Sequence, residues 1–75
     1  MEKEIKEKMA EILEVGVETL ADDMSIEDIP EWDSMRYLEV LMGLGKKYGI
    51  KYTREELIDV ETVGDMLELT KEKIG

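Results

Sequence analysis

The sequence predicts an all-α fold: a four-helix bundle of three longer helices and one short one, with a long loop between the first and second. Three observations predict it. Apolar residues recur at spacings of three and four through most of the chain, helix-capping patterns stand where three such runs begin, and no stretch alternates apolar and polar residues long enough to make a strand.

The first helix is expected over about residues 2 to 20, because Ile5, Met9, Ile12, Leu13, Gly16 and Leu20 share one side while Glu7, Glu11, Glu14 and Glu18 hold the other. Residues 21–33 then break the period and contain the single proline. Met24, Ile26, Ile29 and Trp32 are spaced between acids there, so the segment reads as a loop anchored by its apolar side chains rather than a disordered one. Asp33 is a favoured N-cap for the second helix, with Ser34 at N1 and Trp32 placed to staple onto Tyr37. Tyr48-Gly49-Ile50 stops that helix: Gly49 tolerates the left-handed conformation, and Lys46 and Lys47 suit the negative end of the dipole. Between these ends only Arg36, Glu39, Gly43, Lys46 and Lys47 form a polar stripe. A helix apolar around most of its circumference is expected to be central, with Gly45 on its inward side allowing another helix to approach. Thr53-Arg54-Glu55-Glu56 is a capping-box pattern opening a short helix to about Ile58 or Asp59. Thr62-Val63-Gly64-Asp65 opens the last helix, whose buried face is Val63, Met66, Leu67, Thr70 and Ile74.

A length of 75 residues allows one domain, residues 1–75, and little room for a sheltered catalytic cleft. The chain has no cysteine and no histidine, which excludes thiol chemistry, disulfides and the usual zinc ligand sets. No catalytic residue and no metal site is expected. The acidic stretch Asp22-Asp23-Met24-Ser25-Ile26-Glu27 lacks the alternating carboxylates and the glycine of a calcium loop. A net charge of −10 disfavours nucleic acid and anionic membranes and favours basic protein surfaces as partners. With no signal-like or membrane-spanning run, a cytoplasmic monomer without membrane insertion is the expectation. The charge is uneven: −3 over residues 1–20, −5 over 21–32, +1 over 33–48 and −3 over 49–75.

Trp32-Asp33-Ser34-Met35 at the head of an apolar helix, then Tyr48-Gly49-Ile50, then Thr62-Val63-Gly64-Asp65-Met66, resemble the acyl carrier protein family over nearly the whole chain. In that family a serine in an Asp-Ser-Leu or Asp-Ser-Met motif carries 4′-phosphopantetheine. The resemblance implies that Ser34 is the covalent attachment point for an arm taken from coenzyme A by a phosphopantetheinyl transferase. It implies that Asp33 and Met35 help that enzyme and later partners recognise the site. Physical chemistry agrees with the placement: a phosphodiester at a helix start meets unpaired backbone N–H groups and the positive end of the dipole. No histidine stands by to activate Ser34, so another protein must do so.

The implied function is to hold acyl intermediates as thioesters and pass them between synthases, ligases and transferases of a fatty-acid, polyketide or specialised lipid pathway. An aminoacyl carrier of D-alanyl type and an unmodified helical interaction module are the alternatives. A free-standing specialised carrier is expected, because Trp32-Asp33 replaces the glycine-rich lead-in common to fatty-acid carriers and the second helix is not acidic. Docking is accordingly expected through Glu39, the loop acids and Glu55, Glu56, Asp59 and Glu61, with Arg36 close to the docking surface. The apolar residues of the second helix read as core more readily than as a tunnel for cargo.

Overall fold

The computed structural model describes residues 2–75. Four α-helices follow in order, α1 Glu2–Leu13, α2 Ser34–Tyr48, α3 Arg54–Ile58 and α4 Val63–Ile74, with 3₁₀ turns at Val17–Thr19 and Ile26–Asp28 between α1 and α2. This is the all-α four-helix bundle that the periodicity predicts, short third helix included.

One boundary differs. Helix α1 ends at Leu13, not near residue 20, although the apolar spacing runs on to Leu20. Glu14 adopts a left-handed conformation at φ 60°. Its N–H donates to Glu11 O (3.2 Å) and the Val15 N–H donates to Ala10 O (3.0 Å), the bond pair of a Schellman ending normally built on glycine. Leu20 still reaches the core, 2% exposed, because the 3₁₀ turn carries it there.

The core is organised around α1, which packs against both α2 and α4. Ile5, Met9 and Leu13 of α1 meet Val40 and Leu44 of α2 and Val63, Met66 and Leu67 of α4 in one buried cluster. Each such side chain contributes roughly 1.5–3 kcal/mol when fully buried. The expectation that α2 is central is therefore corrected. Its apolar residues divide between two faces: Tyr37, Val40, Leu41, Leu44 and Tyr48 pack inward, while Met35, Leu38 and Met42 are 74%, 58% and 65% exposed.

The glycines of α2 are reassigned for the same reason. A Cβ on Gly43 would lie 2.6 Å from Ile12 Cδ1, so Gly43 is where α1 comes close. A Cβ on Gly45 would meet the Ile50 carbonyl oxygen at 2.8 Å. Gly45 faces the chain's own exit from α2, not another helix.

The long loop is anchored as predicted, with Ile26, Ile29 and Trp32 buried. It is also tied by its backbone to the α3–α4 connection. The Ile26 N–H donates to Glu61 O (2.9 Å), the Val63 N–H to Met24 O (3.0 Å) and the Gly64 N–H to Asp22 O (2.7 Å), around an isolated antiparallel bridge between Ser25 and Thr62. A Cβ on Gly64 would stand 2.9 Å from Asp22 O, which is the physical reason for glycine in Thr62-Val63-Gly64-Asp65.

The remaining caps match the sequence. Thr53 with Glu56 and Thr62 with Asp65 form complete capping boxes, and Gly49 ends α2 at φ 66°. Thr70, fully buried, donates its hydroxyl to Met66 O (2.8 Å). The Tyr52 hydroxyl, 2.6 Å away, is therefore the donor to Thr70. Among the described residues no helix is long and apolar enough to cross a membrane.

Candidate functional site

The site forms where the anchored loop turns into α2. Asp33 is extended at φ −91° and ψ −175°, and its Oδ1 accepts the Arg36 N–H at 2.8 Å. Its carbonyl accepts the Tyr37 N–H, also at 2.8 Å. The helix thus starts one residue later, with Ser34 at N1 and exposed, between exposed Asp33 and exposed Met35. The three residues singled out from the sequence lie together at one helix end. The staple is present: Trp32 and Tyr37 meet edge to face, centroids 5.6 Å apart at 85°. That contact fixes the angle at which the loop delivers Ser34.

Ser34 also borders a groove of about 670 Å³ lined by Ile26, Trp32, Tyr37, Ile58 and Val60, with Glu27 and Glu61 on its wall. The groove lies between the end of the loop, the first turn of α2 and the α3–α4 connection. Trp32 is 6% exposed, yet its Nε1 has no hydrogen-bond partner, and the same is true of the Tyr37 and Tyr48 hydroxyls. Unsatisfied buried groups cost roughly 1–3 kcal/mol each, and two of these three belong to residues that line the groove. Burial pushes the Tyr37 hydroxyl above the usual phenol range, so it is a neutral donor near pH 7.

Arg36, expected close to the docking surface, is engaged within the fold. Its Nη1 donates to Ile12 O at 2.6 Å and its Nη2 to Glu14 Oε2 at 2.9 Å. Ile12 O is one of the carbonyls left over at the end of α1. The guanidinium therefore caps α1, complements the negative end of its dipole and holds the left-handed Glu14 in place. The bond to Glu14 raises the already high pKa of Arg36.

Sequence reasoning missed the outward stripe Met35, Leu38 and Met42, with Ile58 of α3 also 72% exposed. The signal was present as a second 3–4 spacing on α2, masked by the first. Of the acids expected to dock partners, Glu39, Glu55, Asp59 and Glu61 are exposed. Glu56 is half-buried in an ion pair with Lys73 at 2.8 Å, which together with the Thr53 N–H holds its pKa below the ordinary carboxylate value.

A family model described as the phosphopantetheine attachment site matches residues 3–70, and the chain belongs to that family, the acyl carrier proteins. It is similar to the polyketide-8 synthase acyl carrier protein 2 of Streptomyces avermitilis, 27% identical over 97% of this chain and 84% of the relative. Its fold is similar to the solution structure of a holo acyl carrier protein from Geobacter metallireducens, with a TM-score of 0.86, 25% identity, and coverage of 97% of this chain and 84% of that one. The family is one of carriers, not catalysts, and its prosthetic group is covalently attached 4′-phosphopantetheine. The residues present fit such a group. An exposed hydroxyl stands at N1 of α2, where the first backbone N–H groups have no acceptor inside the helix, and the groove beside it has a mixed wall in which Trp32, Tyr37, Ile58 and Val60 stand beside Glu27, Asp33 and Glu61.

Proposed function

We propose that this chain carries acyl groups as thioesters on 4′-phosphopantetheine attached to Ser34, for partner enzymes of polyketide type. The supporting observation is the exposure of Ser34 at N1 of a capped helix beside a groove; the polyketide assignment rests on the 27% identical relative. In the attachment reaction the Ser34 oxygen forms a phosphodiester bond with the pantetheinyl phosphate of coenzyme A. Adenosine 3′,5′-bisphosphate leaves, and the hydroxyl proton passes to a base on the phosphopantetheinyl transferase, since this chain has no histidine to take it. The arm supplies a thiol, which this cysteine-free chain lacks.

The chain's own residues present that group. Asp33 holds the first turn, Trp32 and Tyr37 set the loop angle, and Met35, Leu38 and Met42 offer an apolar strip beginning next to Ser34. Synthases, ligases and transferases acting on the cargo approach across this strip, and their matching surface is an apolar patch with a basic rim facing Glu39 and the loop acids. The carrier works as a cytoplasmic monomer.

The test is coexpression with a promiscuous phosphopantetheinyl transferase followed by intact mass. The wild type gains one phosphopantetheine and Ser34→Ala gains none. A wild type that stays unmodified with several such transferases, or a Ser34→Ala protein that is still modified, refutes the assignment.

A further inference from the structure

We propose that Met35 and Met42 form a reversible oxidation site: a neutral peroxide converts them to sulfoxides and so closes the apolar strip on α2 to partner enzymes. This rests on the reading of Ser34 as the attachment point, with partners approaching along that strip, and adds how their access is regulated.

The methionines of the described residues divide by exposure. Met9 and Met66 are 0% exposed in the core and Met24 is partly buried, whereas Met35 and Met42 are 74% and 65% exposed. Those two stand seven residues apart on α2, two turns along one strip, with Leu38 between them. Met35 directly follows Ser34. Leucine at both positions would give a similar apolar surface with no reactive atom; methionine adds a polarizable thioether open to oxidants. The chain has no cysteine, so before an arm is attached its only sulfur is that of methionine.

The charge of the surroundings selects the oxidant. Asp33 and Glu39 are exposed beside the strip on a chain of net charge −10, a field that repels anions and leaves an uncharged peroxide unaffected. The sulfur attacks one peroxide oxygen, an S–O bond forms as the O–O bond breaks, and the departing hydroxide takes the proton from the new S–OH, giving sulfoxide and water. Sulfur is oxidised by two electrons and the peroxide is reduced. The return step needs a dithiol reductase: the oxygen leaves as water while the two thiols close to a disulfide. A sulfoxide is polar, and covering it with a partner's apolar patch strips its hydration without replacement. Because neither side chain is part of the core, the change falls on binding and spares the fold. The same reaction at Met9 or Met66 would open the core instead.

The apo chain is the form to test, since the thiol of the arm would itself react with peroxide. It is treated with hydrogen peroxide, the excess is removed with catalase, and peptide mapping assigns each added oxygen to its residue. Loading of Ser34 by a phosphopantetheinyl transferase with coenzyme A is then timed by intact mass. Met35 and Met42 should oxidise ahead of Met24, Met9 and Met66, with the thermal melt unchanged. Loading should slow roughly five-fold or more, the effect of losing a central interface contact, and methionine sulfoxide reductases A and B together should restore it. Met35→Leu with Met42→Leu, compared only with its own untreated rate, should lose the sensitivity. Core methionines oxidising as early as the strip, a lowered melt, no recovery with the reductases, or slowing that persists in the double variant each overturns the proposal. An untreated chain that takes no arm ends the Ser34 reading and the switch with it. A chain loaded equally fast before and after oxidation leaves Ser34 standing and removes the switch alone.

Discussion

Replacing Gly45 and Gly43 singly by alanine separates two kinds of close approach on one helix. Both glycines sit inside α2, so each substitution gains about 1 kcal/mol of helix propensity. The obstacles differ. At Gly43 the new methyl comes to 2.6 Å from Ile12 Cδ1, the free end of a half-buried side chain, with Lys8 Cε next at 3.9 Å. Turning that end aside costs about 0.5–1.5 kcal/mol, so Gly43→Ala should be close to neutral. At Gly45 the methyl comes to 2.8 Å from the Ile50 carbonyl oxygen. That backbone is fixed, because the Gly49 and Ile50 N–H groups both bond Gly45 O, the latter at 3.0 Å. Overpacking of this kind costs about 1–3 kcal/mol, leaving Gly45→Ala destabilised by up to about 2 kcal/mol. The two variants should then differ by about 1–2 kcal/mol, or roughly 5–15 °C in Tm for a domain of this size. Thermal unfolding followed by circular dichroism, with urea titration as a check, measures it. A Gly45→Ala protein melting at or above Gly43→Ala would refute the placement of Ile50 against α2.

Arg36→Glu puts a carboxylate against Glu14 and the end of α1, so Tm should fall, and the charge-swapped pair Arg36→Glu with Glu14→Lys should recover only part of the loss because the bond to Ile12 O stays absent; an unchanged Tm in the single variant would show that the cap is unimportant. Leu38→Asp should lower transfer by partner enzymes without lowering Tm, since Leu38 is 58% exposed; equal transfer by both proteins would remove α2 from the docking face. Acid should act through the caps. The Asp65 carboxylate is held below its ordinary pKa by the Glu61 and Thr62 N–H groups, and Glu56 by Lys73 first. A depressed folded pKa gives stability that is complete above the unfolded value, about 4, and is lost as pH falls through the folded one. Thermal melts should therefore stay flat or rise from pH 7 to 5 as repulsion is relieved, then fall below about pH 4, and Asp65→Asn should flatten that fall.

The features legible in the sequence are those settled within about four residues. Asp33 to Arg36, Thr53 to Glu56, Thr62 to Asp65 and the left-handed Gly49 are side chain or backbone events local to a helix end, and each occurs where its pattern stands. The positions of Ser34 and of the Trp32–Tyr37 staple follow from the same local rule. The end of α1 was not legible because Ile12 O is capped by Arg36 from 24 residues away, while the apolar period continued undisturbed. The two faces of α2 could not be assigned because Met35, Leu38 and Met42 have the same spacing as a core stripe; only the position of α1 decides which stripe is buried. The backbone ties of Ile26 to Glu61 and Gly64 to Asp22 likewise have no local pattern to announce them.

The distribution of charge now has a structural account. Lys6, Lys8, Arg36, Lys71 and Lys73 are bound to Asp22, Glu11, Glu14, Glu2 and Glu56 within the fold, which is half of the ten basic side chains. Arg36 made the second helix look basic from sequence, but its charge is matched by Glu14 of α1. Setting that pair aside, residues 33–48 keep Asp33 and Glu39 against Lys46 and Lys47, and both lysines lie in the last turn, at the far end from Ser34. The Ser34 end therefore presents Asp33, Glu39 and the exposed loop acids Glu27, Asp28 and Glu31 around an apolar strip. Attraction of a basic rim at that end and apolar contact along α2 are compatible parts of one surface. On the proposed docking surface, long-range steering by the acids would govern encounter, and the strip would govern how long the complex lasts. Salt should accordingly slow association with a partner while leaving its dissociation nearly unchanged.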